Sequence, residues 1–433
     1  MLAGASRIDI TPQSPVWMEG MIRDHKSEGI HDRLFARCVV LSNDPDAREA
    51  VAIVSLDVCI IGSETALRAK DAIRKLSGIL PQRVILAATH THSGPATIGL
   101  FQPAEQEYLS ELELRIADVV ADAVSKLRSA LISVGSASEH TISHYRRFAN
   151  EQGKVVMYWE QDPALGHLKP LGEPDPEVGA VDVVDAQTGN RIGLVFNHAG
   201  HPNVMSGENY MISGDYAGAA ARIVEDRLGG VGIFLNGAQG SVDIDNWRHR
   251  GWEDVQTLGA RLAAAVQYAA ETASPTEDDT LRFASVRYKL PRRRISDEEL
   301  VWAAEVLATT GGSVTALADG VGDDYKAVLY GRLRECQDEE IDVEQTAFSV
   351  GDTALVSFPG ELFTEIGLGI RAASPFKRTY IVGLANGCIG YVPTRRAIAQ
   401  GGYEVDTRQL DDSAAEVIEE MSLALLRELS GGN

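Results

Sequence analysis

The 433-residue sequence has only four cysteines, Cys38, Cys59, Cys336 and Cys388, scattered through apolar surroundings without a C-x-x-C pair. That spacing excludes a thiolate metal cage and a disulfide framework and leaves core thiols. Positive charge is scarce too: 40 Lys and Arg against 62 Asp and Glu give a net charge of −22. Coulomb repulsion then opposes a polyphosphate backbone or an anionic bilayer, so nucleic acid and stable membrane association are excluded as partners. No uninterrupted apolar run is long enough to span a bilayer, and the opening MLAGASRIDITPQ lacks a basic segment followed by an apolar one. The expectation is a soluble, cytoplasmic protein acting on a small-molecule substrate. Internal repeats, low-complexity tracts and long linkers are missing as well. With 44% hydrophobic and 24% charged residues, the composition is that of a chain able to bury a sizeable core.

What is present alternates between strand-like and helix-like segments, the pattern of a layered α/β fold. Residues 50–61 (AVAIVSLDVCII) and 84–89 read as buried strands, with a helix over 64–76 between them. Leu109, Leu112, Ile116, Val119, Val120, Ala123 and Leu127 recur at three- and four-residue steps, one buried stripe of a helix. Short strands at 191–197 and 231–235 each run into a polar, Gly-containing loop, and helices over 217–228 and 255–270 pack this region. Residues 281–290 alternate like a strand. Ser296 and Glu299 then form a capping-box signature, and a second helix covers 325–336, so residues 291–340 read as a helical excursion. A hairpin over 344–350 and 353–358 and an amphipathic helix through Val417 and Leu426 complete the chain. The expected fold class is α/β: one large layered domain over 1–433, with a mixed β-sheet flanked by helices and an excursion near 291–340.

The stretch AATHTHSGP places two of only 10 histidines, His90 and His92, one residue apart after an apolar strand. Residues two apart on a strand share a face, so both imidazoles would project together from its end. A second cluster, His198 and His201 in FNHAGHPNVM, follows another apolar strand. Each cluster alone reads equally well as imidazoles bonded to neighbouring backbone. Two at strand ends suit a metal site, whose ligands usually come from separate elements. An anionic ligand is then wanted, and Glu361 in SFPGELFTEIG offers one, although an acid there also suits the start of a helix. Tyr391, in LANGCIGYVPT, reads as either a ligand or an ordinary core tyrosine. The loop NGAQGSVDID holds Ser241, Asp243 and Asp245, and its glycines, Gly237 and Gly240, permit positive φ and an oxyanion nest. It is neither a G-x-S-x-G elbow nor a Walker or dinucleotide loop.

Taken in order, GASRIDITP, MEGMIRD, the strand with Asp57, ATHTHSGP, FNHAGHP with ISGDYAG, NGAQGSVD, FPGEL and LANGCIGYVPTRRAIAQGGYE resemble the catalytic domain of the neutral, non-lysosomal ceramidase family. The resemblance implies Zn2+ held by His90, His201, Glu361 and Tyr391, with His92 and Arg146 facing the substrate. Such a ligand set leaves a position for water, whose pKa the metal lowers towards ~7. It also implies a hydrolase of amide (N-acyl) bonds.

Two departures matter. Where the family carries G-D-V-S-P, with a serine implicated in catalysis, this chain reads Gly240-Ser241-Val242-Asp243-Ile244. Asp243 therefore stands at the serine's position, where it can act as a base, orient water or cap loop N–H groups. The expectation is a catalytic domain alone, without the signal peptide and C-terminal immunoglobulin-like domain of secreted members, and no basic membrane-docking element is present. The expected substrate is a small soluble amide rather than ceramide, with His92 or Asp243 moving protons and Arg146, the Gly237 to Gly240 backbone and Ser241 holding substrate and oxyanion. An esterase on a polar or sugar ester and a non-catalytic ligand-binding descendant are the competing readings.

Overall fold

The computed structural model describes residues 1–160, 168–244 and 250–431; Asp245 falls outside them. The first half builds a main sheet from β1 (Leu2–Asp9), β2 (Phe35–Ser42), β3 (Val51–Leu56), β4 (Val84–Ala88), β5 (Arg128–Ser138), β6 (Glu177–Asp185), β7 (Arg191–His198) and β8 (Val231–Asn236). Their spatial order is β8-β7-β6-β5-β1-β2-β3-β4. The two outermost pairs, β3 with β4 and β7 with β8, are parallel, and the inner pairs are antiparallel. The parallel pairs are joined through helices α1 (Ser63–Ser77) and α3 (Asp215–Leu228), as parallel neighbours must be. Helices α2 (Gln106–Ser125) and α4 (Trp252–Glu271) complete an outer layer.

Strand periodicity explains the layering. In β2, Cys38 and Val40 point to the helical layer with Ile73 and Ile116, while Val39 and Leu41 point to the opposite face. That face meets a second, four-stranded sheet made of β9 (Leu281–Pro291), β10 (Glu340–Val350), β11 (Thr353–Ser357) and β12 (Arg378–Val382). Phe348, Leu355 and Tyr380 of this sheet pack against Val39, Ile53, Val181 and Val195 of the main one. The far side of the second sheet carries α7 (Thr364–Ala373) and α8 (Ala414–Ser430), through Ile366, Ile370, Ile418 and Leu426. The molecule is thus helix, sheet, sheet, helix. Strands buried on both faces read as continuous apolar runs, which is why AVAIV and VILAA show no alternation.

The expected excursion is an insertion in a hairpin. Strands β9 and β10 pair from Leu281↔Val350 to Pro291↔Glu340, and α5 (Asp297–Thr310) and α6 (Asp323–Cys336) stand between them over a small core of their own, centred on Ala303, Ala327 and Leu333. The capping box is present: Glu299 N–H donates to Ser296 Oγ and Ser296 N–H to Glu299 Oε2.

Two differences from the sequence reading shape the site. The run over 50–61 is strand only to Leu56; Asp57 then turns inward, accepting from Phe35 N–H (2.9 Å) and Arg37 Nη1 (2.8 Å), and residues beyond it leave the sheet. The main sheet also curls until its opposite ends touch: Ser55 of β3 donates through Oγ to the Phe234 carbonyl of β8 at 2.6 Å. The loops after β4 and β7 thereby meet.

Candidate metal centre

Three loops converge where the curled sheet closes. His90 follows β4 not as a strand residue but in the left-handed region, at φ 75°. The expected sharing of one strand face by His90 and His92 is therefore corrected: a turn brings them together, with Nε2 atoms 3.3 Å apart and rings at 87°. A positive φ on a non-glycine residue is strain that surrounding contacts must hold. Here they do: His90 N–H bonds the Val58 carbonyl (3.0 Å), and His90 Nδ1 lies 2.9 Å from the Cys59 carbonyl. The second loop is locked to the first by His92 N–H on the Pro202 carbonyl (3.0 Å) and by Asn236 at the end of β8, whose Nδ2 donates to the carbonyls of Thr89 (3.2 Å) and Gly200 (2.8 Å).

Glu361 comes from the second sheet's side, in a two-residue strand whose parallel partner is Tyr391. Helix α7 begins only at Thr364, so Glu361 is not a first-turn residue complementing a helix. Gly240 makes this approach feasible: a Cβ there would lie 2.4 Å from the Glu361 carbonyl oxygen.

The result is a knot of donor atoms. His90 Nε2 lies 3.1 Å from His201 Nε2 and 3.4 Å from Glu361 Oε2, and His201 Nε2 lies 3.9 Å from the same oxygen. All three residues are at least 95% buried. The Cys59 carbonyl can only accept, so His90 Nδ1 carries a proton and donates to it, leaving Nε2 as the nitrogen turned to the cluster. Arg146 Nη1, a donor only, lies 3.5 Å from His201 Nε2, which makes that atom an acceptor too. Burial, then Arg146, holds the His201 imidazole well below its usual range, so it is neutral. Two imidazole nitrogens and a carboxylate oxygen buried this close together are what a shared cation satisfies. Donors sharing a tetrahedral ion at about 2.0–2.1 Å sit roughly 3.3–3.4 Å apart, close to the spacings seen here. The donor set therefore fits a divalent metal.

Tyr391 stands beside Glu361 in register, and burial, then the Glu361 charge, pushes its phenol well above the ordinary value. The Arg146 guanidinium lies 5.2 Å from its ring centroid, and its charge acts in the opposite direction on the phenol. Burial works against the Arg146 charge, but Tyr391 and Glu404 more than offset it, and the guanidinium stays protonated. Its Nε donates to Glu404 Oε1 (2.8 Å) and its Nη2 to the Gly240 carbonyl (3.0 Å).

His92, Arg146, His201, Asp243 and Tyr391 line one small cavity of about 20 Å³, room for about one water. Trp159, Tyr403, Asp319 and Gly320 close its other sides. Burial, then His90, keeps His92 well below the usual imidazole range. Gly20, at φ 91°, packs flat on that ring: a Cβ there would lie 2.5 Å from its Cγ. Asp243 is 1% exposed; one oxygen takes the Ile244 N–H (2.8 Å), and Oδ2 has no partner among the described residues.

The glycine-loop expectations need correction. Gly237 N–H is spent on the His198 carbonyl (3.1 Å) and Gly240 N–H on Leu362 (2.8 Å), and neither has positive φ, so neither N–H is offered to the cavity. Ser241 is fully buried and bonded to Thr364, accepting its N–H (3.0 Å) at the start of α7. His198 is likewise a core residue, between Ser143 Oγ and the Glu177 carbonyl. Conversely Asn236, Trp159, Asp319, Tyr403 and Glu404 were not singled out. A strand-ending Asn and the acid closing the GGYE motif were the available signs.

Fold and cluster together define a layered α/β protein with a buried His/His/carboxylate cluster whose atoms lie close enough to share one metal ion. Residues 1–241, more than half of the chain, match the family described as neutral/alkaline non-lysosomal ceramidase, N-terminal, and the chain belongs to that family. The neutral ceramidase of Pseudomonas aeruginosa is 24% identical over 469 residues, covering 93% of this chain and 68% of that protein. Neutral ceramidase 2 of Arabidopsis thaliana is 28% identical over 260 residues, 57% of this chain and 32% of that one. The chain thus spans about two thirds of the bacterial relative's length and a third of the plant one's. The crystal structure of the Pseudomonas aeruginosa neutral ceramidase superposes with a TM-score of 0.74 at 20% identity, over 100% of this chain and 75% of that one, and has the same fold.

Proposed function

We propose that this protein is a metal-dependent hydrolase of an amide (N-acyl) bond, with zinc held by His90, His201, Glu361 and Tyr391. Family membership supports the coarser part, a hydrolase acting on an amide bond. The observation that carries the metal is the meeting of His90 Nε2, His201 Nε2 and Glu361 Oε2 at 3.1–3.9 Å in the buried interior. Bound there, a divalent ion supplies Lewis acidity, polarising a carbonyl and making water more acidic. The chain's own residues do the rest. Arg146, fixed by Glu404 and Gly240, keeps a full positive charge on the cavity wall, where negative charge develops on a carbonyl oxygen under attack. Asp243 Oδ2 and neutral His92 are the two proton acceptors facing the same space. Trp159 and Tyr403 flank the Arg146 guanidinium at 5.5 and 5.7 Å and leave little room for bulk water.

The narrow cavity and the net charge of −22 favour a small soluble amide over a membrane lipid. The test is elemental analysis of protein purified without added metal, paired with turnover of matched amides and esters of increasing acyl length. Alanine at His90 or Glu361 should remove bound metal and lower kcat/KM by at least a thousandfold while the far-UV spectrum stays unchanged. A metal-free variant with full activity overturns the reading, and turnover of the esters with none of any matched amide reassigns the substrate class.

A further inference from the structure

A second cavity, about 300 Å³, lies between α1 and the edge of the second sheet. Its size is at the lower end of small-molecule sites, roughly 300–1,000 Å³. One face of α1 lines it, Ser63, Ala66, Leu67 and Lys70 at i, i+3, i+4 and i+7. The first turn of this 15-residue helix has Gly62 as N-cap and no capping side chain, so its positive end and its orphan N–H groups lie at the cavity's head.

The walls hold two cations, Lys70 and Arg287, and two carboxylates, Glu344 and Asp342. Buried Lys70 and the exposed Arg287 share one carboxylate: Lys70 bonds Glu344 Oε1, and Arg287 donates twice to Oε2, at 2.6 and 3.0 Å. Two cations on one acid leave one charge over. Asp342 also lines the cavity but is paired with Lys289 at 3.3 Å, and Glu64 of the first turn is turned to solvent.

The second observation is Asn386. It is 7% exposed and lines the cavity. Leu86 N–H donates to its Oδ1 at 2.9 Å, which fixes the amide's orientation, and the remaining Nδ2 has no acceptor among the described residues. A buried NH2 group without a partner is rare in folded proteins and asks for an acceptor. Ser63 stands next to it, since a Cβ on Gly387 would lie 2.5 Å from Ser63 Oγ.

We propose that this cavity binds a small organic oxyanion, a carboxylate or phosphate monoester, with its charged head on Asn386 Nδ2, Ser63, the α1 N-terminus and Arg287 and its body along Ala66 and Leu67. Pro359 lines the same space. An occupant therefore touches both segments that lead into the metal cluster, the one ahead of Glu361 and the one ahead of Tyr391.

Titration calorimetry of the full chain with benzoate and with phenylphosphate, before and after chelation, tests this. Saturable one-to-one binding of at least one anion is expected, unchanged by chelation; which anion binds tells carboxylate from phosphate. Arg287→Met should weaken it at least tenfold, and Asn386→Asp, which keeps the acceptor for Leu86 but replaces the free donor by an anionic oxygen, at least a hundredfold. Absence of saturable binding, binding that vanishes with the metal, or binding indifferent to Arg287→Met overturns the proposal. Because the binding is read without turnover, it fails or stands separately from the hydrolase assignment.

Discussion

Glu404 is wholly buried between two arginines, with Oε1 on Arg146 Nε at 2.8 Å and Oε2 on Arg147 Nη1 at 2.6 Å. Removing one member of a buried ionic network leaves the others desolvated and uncompensated, at a cost of about 3–5 kcal/mol. Glu404→Gln should lower unfolding free energy in urea by that amount and loosen the guanidinium that faces the substrate, so kcat falls as well; a change under about 1 kcal/mol would show the triad dispensable. Its place at the end of the GGYE motif is the one mark this acid carries among 62, and that says nothing of its partners, which lie some 250 positions away. Histidines were legible for the opposite reason: few in number and clustered after apolar strands, they stand out. Even so, the strand alternation invoked for His90 and His92 was wrong in mechanism, since a single left-handed residue, not a pleat, turns the rings together.

At the scale of elements, the helical excursion shows what local pattern can and cannot reveal. The Ser296–Glu299 box and both helices were readable from spacing and propensity. That the connection between them reaches the metal cavity was not, because it depends on where a hairpin insertion folds back. Gly320 in that connection has φ 68°, and a Cβ on it would meet Trp159 Nε1 at 2.6 Å. Gly320→Ala should therefore displace Trp159 from the cavity wall, raising KM about tenfold, and the left-handed backbone should cost about 1–2 kcal/mol of stability; steady-state kinetics beside thermal melts separate the two, and an unchanged KM would mean the wall is not part of the substrate path. Helix α3 offers a second element-scale consequence. Its first residue, Asp215, sits at φ 55° and is fully buried, and burial, partly offset by the N–H groups of Tyr216 and Val204, pushes its pKa from the ordinary 3.8 up to about 7. Between about pH 4 and pH 7 the folded state then holds a proton that the unfolded chain has released, so this group's stabilisation is complete below pH 4 and lost as pH rises through 7. Three pH units at about 1.4 kcal/mol each give roughly 4 kcal/mol. The stability difference between wild type and Asp215→Asn, measured in urea from pH 4 to 7, should shift by that order in the variant's favour; a difference flat across pH would contradict the burial argument.

At the scale of the whole molecule, composition and strand patterns led to a layered α/β fold with a mixed sheet, and that is what forms. The second sheet was visible only as a strand and a hairpin, since apolar runs say that both faces are covered but not by what. Curling of the main sheet, which brings the ends of β4 and β8 together, lies in twist and packing that no window of sequence encodes. Its consequence is that His90, His201 and Glu361 come from three distant stretches of chain and lie on both sheets' sides of one knot. A metal there ties those stretches in the folded state and has no equivalent in the unfolded chain, so binding free energy adds to folding. At a thousandfold excess over Kd the gain is about 4 kcal/mol. With an unfolding entropy near 2.1 cal/mol/K per residue, a chain of this length loses roughly 4–5 °C in Tm on chelation, and readdition of zinc should restore it. Since the three acceptors are then left facing one another, the destabilisation should be largest in wild type and disappear in Glu361→Ala, which can no longer hold the ion. Differential scanning calorimetry of both proteins with and without chelator is the measurement, and equal shifts in the two would place the ion elsewhere.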